Sequence, residues 1–151
     1  MKPYEEILKQ LLEQGIQFEI IQDNYNIHQD SHLSKVVKIW TDRFIETRTA
    51  PSLDNYLWHI FSFKSTECLE GKNAKDELEK QFEADTLIFN EQQQYLIKCI
   101  KRIPIIQMED FFDDIYLSHY NMKWTYVIPH EIHSGMGPYF SYGNKLNSVQ
   151  H

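Results

Sequence analysis

The segment His130-Glu131-Ile132-His133 carries residue types that bind metal ions. Neutral imidazoles and carboxylates are ordinary zinc ligands. The spacing differs from the HExxH pattern, in which two histidines four residues apart share one face of a helix. Pro129 precedes this segment and Gly135 follows it, so the sequence predicts a loop here and not a helix.

A metal ion bound at this loop would need further ligands from elsewhere in the chain. An open zinc site uses three protein ligands and a closed site four, whereas His130 and His133 supply two. His119 lies at the far end of a predicted hairpin. In the alternative interpretation, His130 and Glu131 hydrogen-bond to backbone groups of the loop. We therefore predict no metal site and no cofactor.

A second group consists of four carboxylates around the pair Phe111-Phe112, namely Glu109, Asp110, Asp113 and Asp114. Paired carboxylates can perform acid–base chemistry or bind Mg²⁺. They also favour the dipole of a helix when they lie in its first turn. A short helix over residues 108–113 is predicted, so the structural role is the preferred interpretation.

A third group is aromatic. On a strand over residues 124–128, the even positions place Trp124, Tyr126 and His130 on one side. Tyrosine and tryptophan are enriched at binding interfaces. The core is the preferred location for Trp124, while Tyr139 and Tyr142 are predicted at the surface, near glycines. The candidate binding residues are Trp124, His130, Glu131, Tyr139 and Tyr142.

The sequence contains no complete catalytic motif. Ser134 lacks the G-x-S-x-G context of a hydrolase nucleophile. Cys68 and Cys99 have no adjacent histidine that would activate a thiol. Neither a Walker loop nor a GxGxxG motif is present. No catalytic residue is predicted.

The elements that position these residues follow from periodicity. Apolar residues at helical spacing predict helices over residues 3–12, 33–44 and 72–82, with Gly15 ending the first and Asp30 or Ser31 capping the second. Short apolar runs predict strands at 18–21, 57–63, 86–89, 95–97, 115–117 and 124–128, with an edge strand at 138–142. A helix is the alternative for 57–63.

This order predicts an α+β fold. An antiparallel sheet of about five strands, in the C-terminal two-thirds of the chain, is covered on one face by two to three helices. The helices come mostly from the N-terminal half. With 151 residues, the chain fits a single domain over residues 1–151, with residues 143–151 as a frayed tail.

Composition and charge restrict the functional classes. The net charge of −7 and the lack of a cluster of Lys and Arg argue against nucleic-acid binding and favour a basic partner, if the partner is a protein. No apolar segment reaches the length of a membrane span. Two cysteines without CxxC pairing, and a start that lacks an apolar run, predict a cytoplasmic protein with reduced thiols.

Three segments of the C-terminal third resemble a family of small, functionally uncharacterised bacterial proteins. That family has a D-x-Y-V strand, a W-T-x-V-x-x-H-E strand end and a G-P-Y-F turn, which correspond here to residues 114–117, 124–131 and 137–140. Residues 57–62, 68–71 and Ala74 are also similar, so the resemblance spans about Trp40 to Phe140. It implies a bacterial cytoplasmic protein and brings no assigned activity.

The sequence is compatible with three functions. Small size, acidic charge and surface aromatics favour a non-catalytic protein-binding or inhibitory module of the immunity type. A small-ligand-binding domain with an aromatic pocket is the alternative. A metal-dependent hydrolase that uses His130 and Glu131 ranks last, because no motif is complete.

Overall fold

The chain folds into one antiparallel sheet that has helices against both of its faces. The computed structural model describes residues 3–23, 32–45, 57–62, 66–92, 94–107, 113–130, 132 and 135–143. The elements within these residues are α1 (Pro3–Glu13), β1 (Phe18–Gln22), α2 (His32–Phe44), α3 (His59–Ser62), β2 (Leu69–Glu70), α4 (Gly71–Glu79), β3 (Thr86–Asn90), β4 (Leu96–Cys99), β5 (Ile115–His119), β6 (Thr125–Ile128) and β7 (Tyr139–Ser141).

The sheet confirms the predicted α+β class but is larger than expected. Its strand order is β1-β4-β3-β5-β6-β7-β2, and every neighbouring pair is antiparallel. The described residues thus form seven strands, where about five were predicted. The two residues of β2 are too few to leave a periodic pattern in the sequence. They form a strand because Leu69 and Glu70 pair with Phe140 and Tyr139.

The prediction that helices cover one face of the sheet is wrong. On one face, α1 and α4 contribute Ile7, Leu11 and Ala74 to a core with β-strand residues such as Ile88 and Leu117. On the opposite face, α2 and α3 pack against the neighbouring strand positions. The second core contains Trp40, Trp58, Phe61, Phe89, Tyr116 and Tyr139.

The strands themselves explain why both faces are covered. Every residue of β3 and β6 is buried, and so are four of the five residues of β5. A strand with one solvent-exposed face alternates apolar and polar residues, whereas a strand buried on both faces is a continuous run of apolar residues. Leu87-Ile88-Phe89 is such a run. The strand predicted over residues 124–128 is confirmed as β6, which lies inside the sheet between β5 and β7.

The first helix ends as its sequence predicts. Gly15 adopts a left-handed backbone with φ of 67°. Its N–H donates to the Leu12 carbonyl and the N–H of Ile16 donates to that of Leu11, at 3.1 and 3.0 Å. These two bonds are the pair that closes a Schellman motif. Ile16 is buried beside Leu11, which fixes the direction in which the chain enters β1.

The strand predicted over residues 57–63 is wrong, and the helical alternative is correct for α3. Trp58 and Phe61 are both fully buried, three residues apart on one side of a single helical turn. Short apolar runs do not distinguish a buried strand from a buried helix. Packing on the sheet decides the outcome, since the Trp58 ring stacks on Tyr139 at 6.2 Å.

Two further predictions need correction. The helix predicted over residues 72–82 is shorter than expected, because α4 ends at Glu79 and Phe82 lies beyond it with 63% of its surface exposed. The strand predicted at 138–142 is not an edge strand, because β7 pairs with β6 and β2. The predicted caps Asp30 and Ser31, residues 108–112 of the predicted short helix and residues 144–151 of the tail lie outside the described residues.

Candidate functional site

Two of the predicted binding residues belong to the core. Trp124 and Tyr139 are each 2% exposed. The Trp124 ring stacks on Phe140 with centroids 5.4 Å apart, and Tyr139 packs between Trp58 and Phe61. The preferred core location of Trp124 is therefore confirmed. The prediction of a surface position for Tyr139 is wrong, because α3 covers that face of β7.

His130 lies at the end of β6 and is held by a carboxylate. Its backbone N–H donates to Oδ1 of Asp114 at 2.7 Å, and its Nδ1 lies 2.8 Å from the same oxygen. The imidazole is partly buried, with 23% of the side chain exposed, and the Trp58 ring lies edge-on at 6.0 Å. Its partners Glu131 and His133 in the predicted loop lie outside the described residues.

Asp113, the neighbour of Asp114 in the sequence, forms further hydrogen bonds at the same end of the sheet. Asp113 accepts hydrogen bonds from the Tyr95 hydroxyl at 3.0 Å, from the Asn90 amide at 3.4 Å and from the backbone N–H of Asp114 at 3.0 Å. Burial raises the pKa of Asp113 to about 6, although these three donors act in the opposite direction. This carboxyl therefore takes up a proton at a higher pH than an exposed aspartate.

Glu91 is the third carboxylate at this end of the sheet. It accepts bonds from the Tyr116 hydroxyl at 2.6 Å and from the backbone N–H of Leu57 at 2.9 Å. Burial is the main cause of its raised pKa, and the charges of Asp114 and Asp113 add to it. Burial and Glu91 together hold the pKa of Tyr116 well above its usual value.

The arrangement of these groups indicates a structural role. A carboxylate bound to Nδ1 orients an imidazole, as it does in many proton-transfer and metal sites. Among the described residues, however, no set of three or more His, Cys, Asp or Glu side chains is arranged to hold a metal ion. The hydrogen bonds of Asp113, Asp114 and Glu91 join the ends of β3, β5 and β6 to the segment before α3.

Tyr142, the remaining predicted residue, lies beside an open groove. The groove has a volume of about 890 Å³ and forms where β2 and β7 meet the turn between β5 and β6, the end of α2 and the middle of α4. Its apolar lining includes Leu69, Met122 and Phe140. Tyr142 is 41% exposed, and its ring meets Phe140 edge-on at 5.0 Å. The surface location predicted for Tyr142 is thus confirmed.

A hydrogen-bond chain fixes the α4 side of this groove. The Tyr142 hydroxyl donates to Oε1 of Glu77 at 2.6 Å and accepts from the Gln81 amide at 2.8 Å. Lys80 contacts the other oxygen of Glu77 at 3.0 Å. The bond from Tyr142, followed by the bond from Lys80, lowers the pKa of Glu77. Burial, followed by the Glu77 contact, raises the pKa of Tyr142 to about 12.

Arg43 forms the α2 side of the groove and was not predicted from the sequence. Its Nη2 donates to the Tyr142 carbonyl at 2.5 Å, and its guanidinium carbon lies 5.0 Å from the Phe44 ring centroid. A basic residue in the last turn of a helix is common, because it favours the helix dipole. Only the tertiary structure brings Arg43 to residues 142 and 143, which lie about 100 positions away in the sequence.

The fold and the groove define an α+β domain built on one antiparallel sheet, with a ligand-sized depression at its β7–β2 end. The chain belongs to the family described as Domain of unknown function (DUF4275), which matches residues 16–140. The resemblance to an uncharacterised family is thereby confirmed. No curated protein and no solved structure matches the chain. None of the helices in the described residues has the length and apolar character needed to cross a membrane.

Proposed function

We propose that this protein is a small-ligand-binding domain whose ligand occupies the groove between β7, α2 and α4. The volume of the groove is the observation that carries the proposal. At about 890 Å³, it falls within the range of roughly 300–1,000 Å³ that is typical of small-molecule sites. Its lining combines the exposed side chains of Leu69 and Tyr142 with a few polar groups, which is the usual composition of such sites.

The chemistry of the groove favours binding over catalysis. Cys68 is the thiol in the wall, and its Sγ lies 3.8 Å from the Phe61 carbonyl oxygen. The described lining residues include no imidazole that would activate this thiol. We place the protein in the bacterial cytoplasm, a reducing compartment in which Cys68 and Cys99 stay as thiols and form no disulfide.

Blocking the groove tests this proposal. Leu69 is 38% exposed at the sheet edge, so Leu69→Trp adds bulk to the groove without overfilling the core. The control Leu12→Trp makes the same change at a position on α1 that is 69% exposed and lies outside the groove. The probe is the neutral dye N-phenyl-1-naphthylamine, whose fluorescence rises in apolar sites.

We expect saturable binding of the dye to the wild type and to Leu12→Trp, with affinity at least about tenfold weaker in Leu69→Trp, which equals about 1.4 kcal/mol. Unfolding curves for both variants confirm that they fold. Failure of the wild type to bind, or equal binding by Leu69→Trp, would show that the groove is not the ligand site.

A non-catalytic protein-binding or inhibitory module is the second candidate function, supported by a different surface. Phe82 and Ile105 are 63% and 65% exposed, and both line a second depression of about 430 Å³. Exposed apolar groups that cluster in this way are typical of interaction sites. The net charge of −7 favours a basic partner through electrostatic steering.

The second candidate is tested by affinity purification from the native host. We expect a stoichiometric partner to be recovered by the wild type and lost with Phe82→Asp. Ile39→Asp is the matched control, because Ile39 is 54% exposed on α2, away from this depression. Retention of the partner by Phe82→Asp, or its loss with Ile39→Asp, would exclude the Phe82 surface as the docking site.

A further inference from the structure

We propose that the ligand of the groove is an organic anion, whose acidic group is held by Arg43 while its apolar part lies on Leu69 and the ring of Tyr142. This inference rests on the proposed function, since it specifies the chemistry of the same site. Its basis is the combination of an apolar groove with a guanidinium that no carboxylate of the described residues neutralises.

The described residues use little of the hydrogen-bonding capacity of Arg43. A guanidinium carries five N–H donors, and the Tyr142 carbonyl accepts one of them. Nη1 is buried and has no hydrogen-bond acceptor among the described residues. Polar groups that are withdrawn from water normally have partners. Arg43 therefore lines the groove with a guanidinium whose hydrogen bonds the described residues do not saturate.

Arg43 also lacks a counterion in the part of the chain that the structure describes. Partial burial lowers its pKa, which means that its positive charge is less well solvated than that of an exposed arginine. No described carboxylate lies within ion-pair distance of it. An anion that enters the groove would supply the missing charge, and arginine forms paired hydrogen bonds with carboxylates and phosphates.

The other charged groups that line the groove are less suited than Arg43 to hold an anion. Glu77, on the α4 side, is already engaged by Tyr142 and Lys80. Glu67 is an exposed residue of the lining, and its backbone carbonyl accepts a bond from Ser141. Lys123 is exposed in the β5–β6 turn, forms no ion pair with a described carboxylate, and adds a second positive charge.

Gly143 allows the guanidinium to occupy this position. Its backbone is left-handed, with φ of 84°. A Cβ at residue 143 would collide with Nη1 of Arg43, so the close approach of the two residues requires glycine. The N–H of Gly143 donates to the Ser141 hydroxyl at 2.9 Å, which fixes the turn against which Arg43 lies.

A matched pair of probes tests the inference at neutral pH by isothermal titration calorimetry. 1-Naphthaleneacetate and 1-naphthaleneacetamide have nearly the same shape and differ in charge. We expect the wild type to bind the acetate at least about tenfold more tightly than the amide, since hydrogen bonds to charged groups are the stronger ones. In Arg43→Gln the preference falls to within about twofold, while affinity for the amide is retained.

Arg102→Gln is the control variant. Arg102 is also an arginine that donates to a backbone carbonyl, that of Gln14 at 2.8 Å, and it lies outside the groove. We expect this variant to keep the wild-type preference for the acetate. Arg43→Lys keeps the charge without the planar donor pair, so an intermediate preference is expected even if Arg43→Gln folds poorly.

The outcomes separate this inference from the proposed function. Equal binding of acetate and amide by the wild type would overturn the anion inference and leave a ligand-binding groove. A preference for the acetate that persists in both Arg43 variants would also overturn it. Failure of both probes and of the neutral dye would overturn both proposals.

Discussion

At the scale of single residues, burial shifts the pKa of Asp113 more than the neighbouring charges do. The side chain is 8% exposed and accepts three hydrogen bonds, yet its pKa rises to about 6 because desolvation is the largest contribution. A buried carboxyl favours its neutral form whenever its donors do not replace the lost water. Asp113 thus links the stability of the fold to pH.

We predict that the stability contributed by Asp113 falls as the pH rises. Its pKa is raised in the folded state from an ordinary value of 3.8, so the folded protein binds the additional proton between about pH 4 and about pH 6. The advantage is complete below about pH 4 and is lost above about pH 6. About two pKa units correspond to about 3 kcal/mol.

Urea unfolding of the wild type and Asp113→Asn at several pH values checks this prediction. The free energy of unfolding of the wild type, minus that of the variant, should decrease by up to about 3 kcal/mol from about pH 4 to about pH 7. Asp76→Asn, at an exposed position on α4, reports the general effect of removing a carboxylate. A pH-independent difference for Asp113→Asn would contradict the prediction.

At the scale of helices and strands, the sequence predicts the end of an element correctly where the backbone conformation at that end requires a particular residue. Gly15 ends α1 because the Schellman motif needs a left-handed residue, and glycine adopts that conformation without strain. By contrast, α3 has no comparable stop or start signal in its described residues. Its helical turn follows from the burial of Trp58 and Phe61, which depends on the sheet.

We predict that Gly15→Ala destabilises the protein by about 1 kcal/mol. The cost is conformational, because a Cβ at this position has no neighbour within 4 Å and the left-handed φ of 67° alone opposes it. Gly15→Asn should cost less, since asparagine tolerates this conformation better. Urea unfolding measures both variants, and equal stability of the alanine variant and the wild type would argue against this account.

At the scale of the whole molecule, each face of the sheet packs into a separate hydrophobic core. Leu96 and Ile97 are neighbours on β4, and they are 1% and 0% exposed. Leu96 belongs to the core under α2 and α3, whereas Ile97 belongs to the core under α1 and α4. Side chains of adjacent residues in a strand point to opposite faces, so both faces must be dry.

We predict that Leu96→Ala and Ile97→Ala each lower the free energy of unfolding by about 2–5 kcal/mol, because both leave cavities in packed cores. The control Ile20→Ala, on edge strand β1 and 41% exposed, should cost less than about 1 kcal/mol. Equilibrium denaturation measures all three variants. A small effect of either β4 substitution would mean that one face of the sheet is open.

The sequence by itself determined the α+β class, the helices α1, α2 and α4, and the strands β1 and β3 to β7. Those elements depend on periodicity and on local residues such as Gly15, which the chain carries wherever it folds. Tyr142 was also identified as a surface residue. The prediction of a single covered face followed from the order of the elements and is wrong, although the continuous apolar run Leu87-Ile88-Phe89 is typical of a strand buried on both faces.

The tertiary structure alone decided the two-sided packing, β2, α3 and the groove. Arg43, Leu69, Met122 and Phe140 meet through contacts between distant segments, and no local pattern marks such residues. His130, which the sequence suggested as a metal ligand, lies at the end of β6 that is away from the groove, where Asp114 holds its imidazole. The physical reason is that spacing along a chain fixes which residues share one element, whereas packing fixes which elements meet.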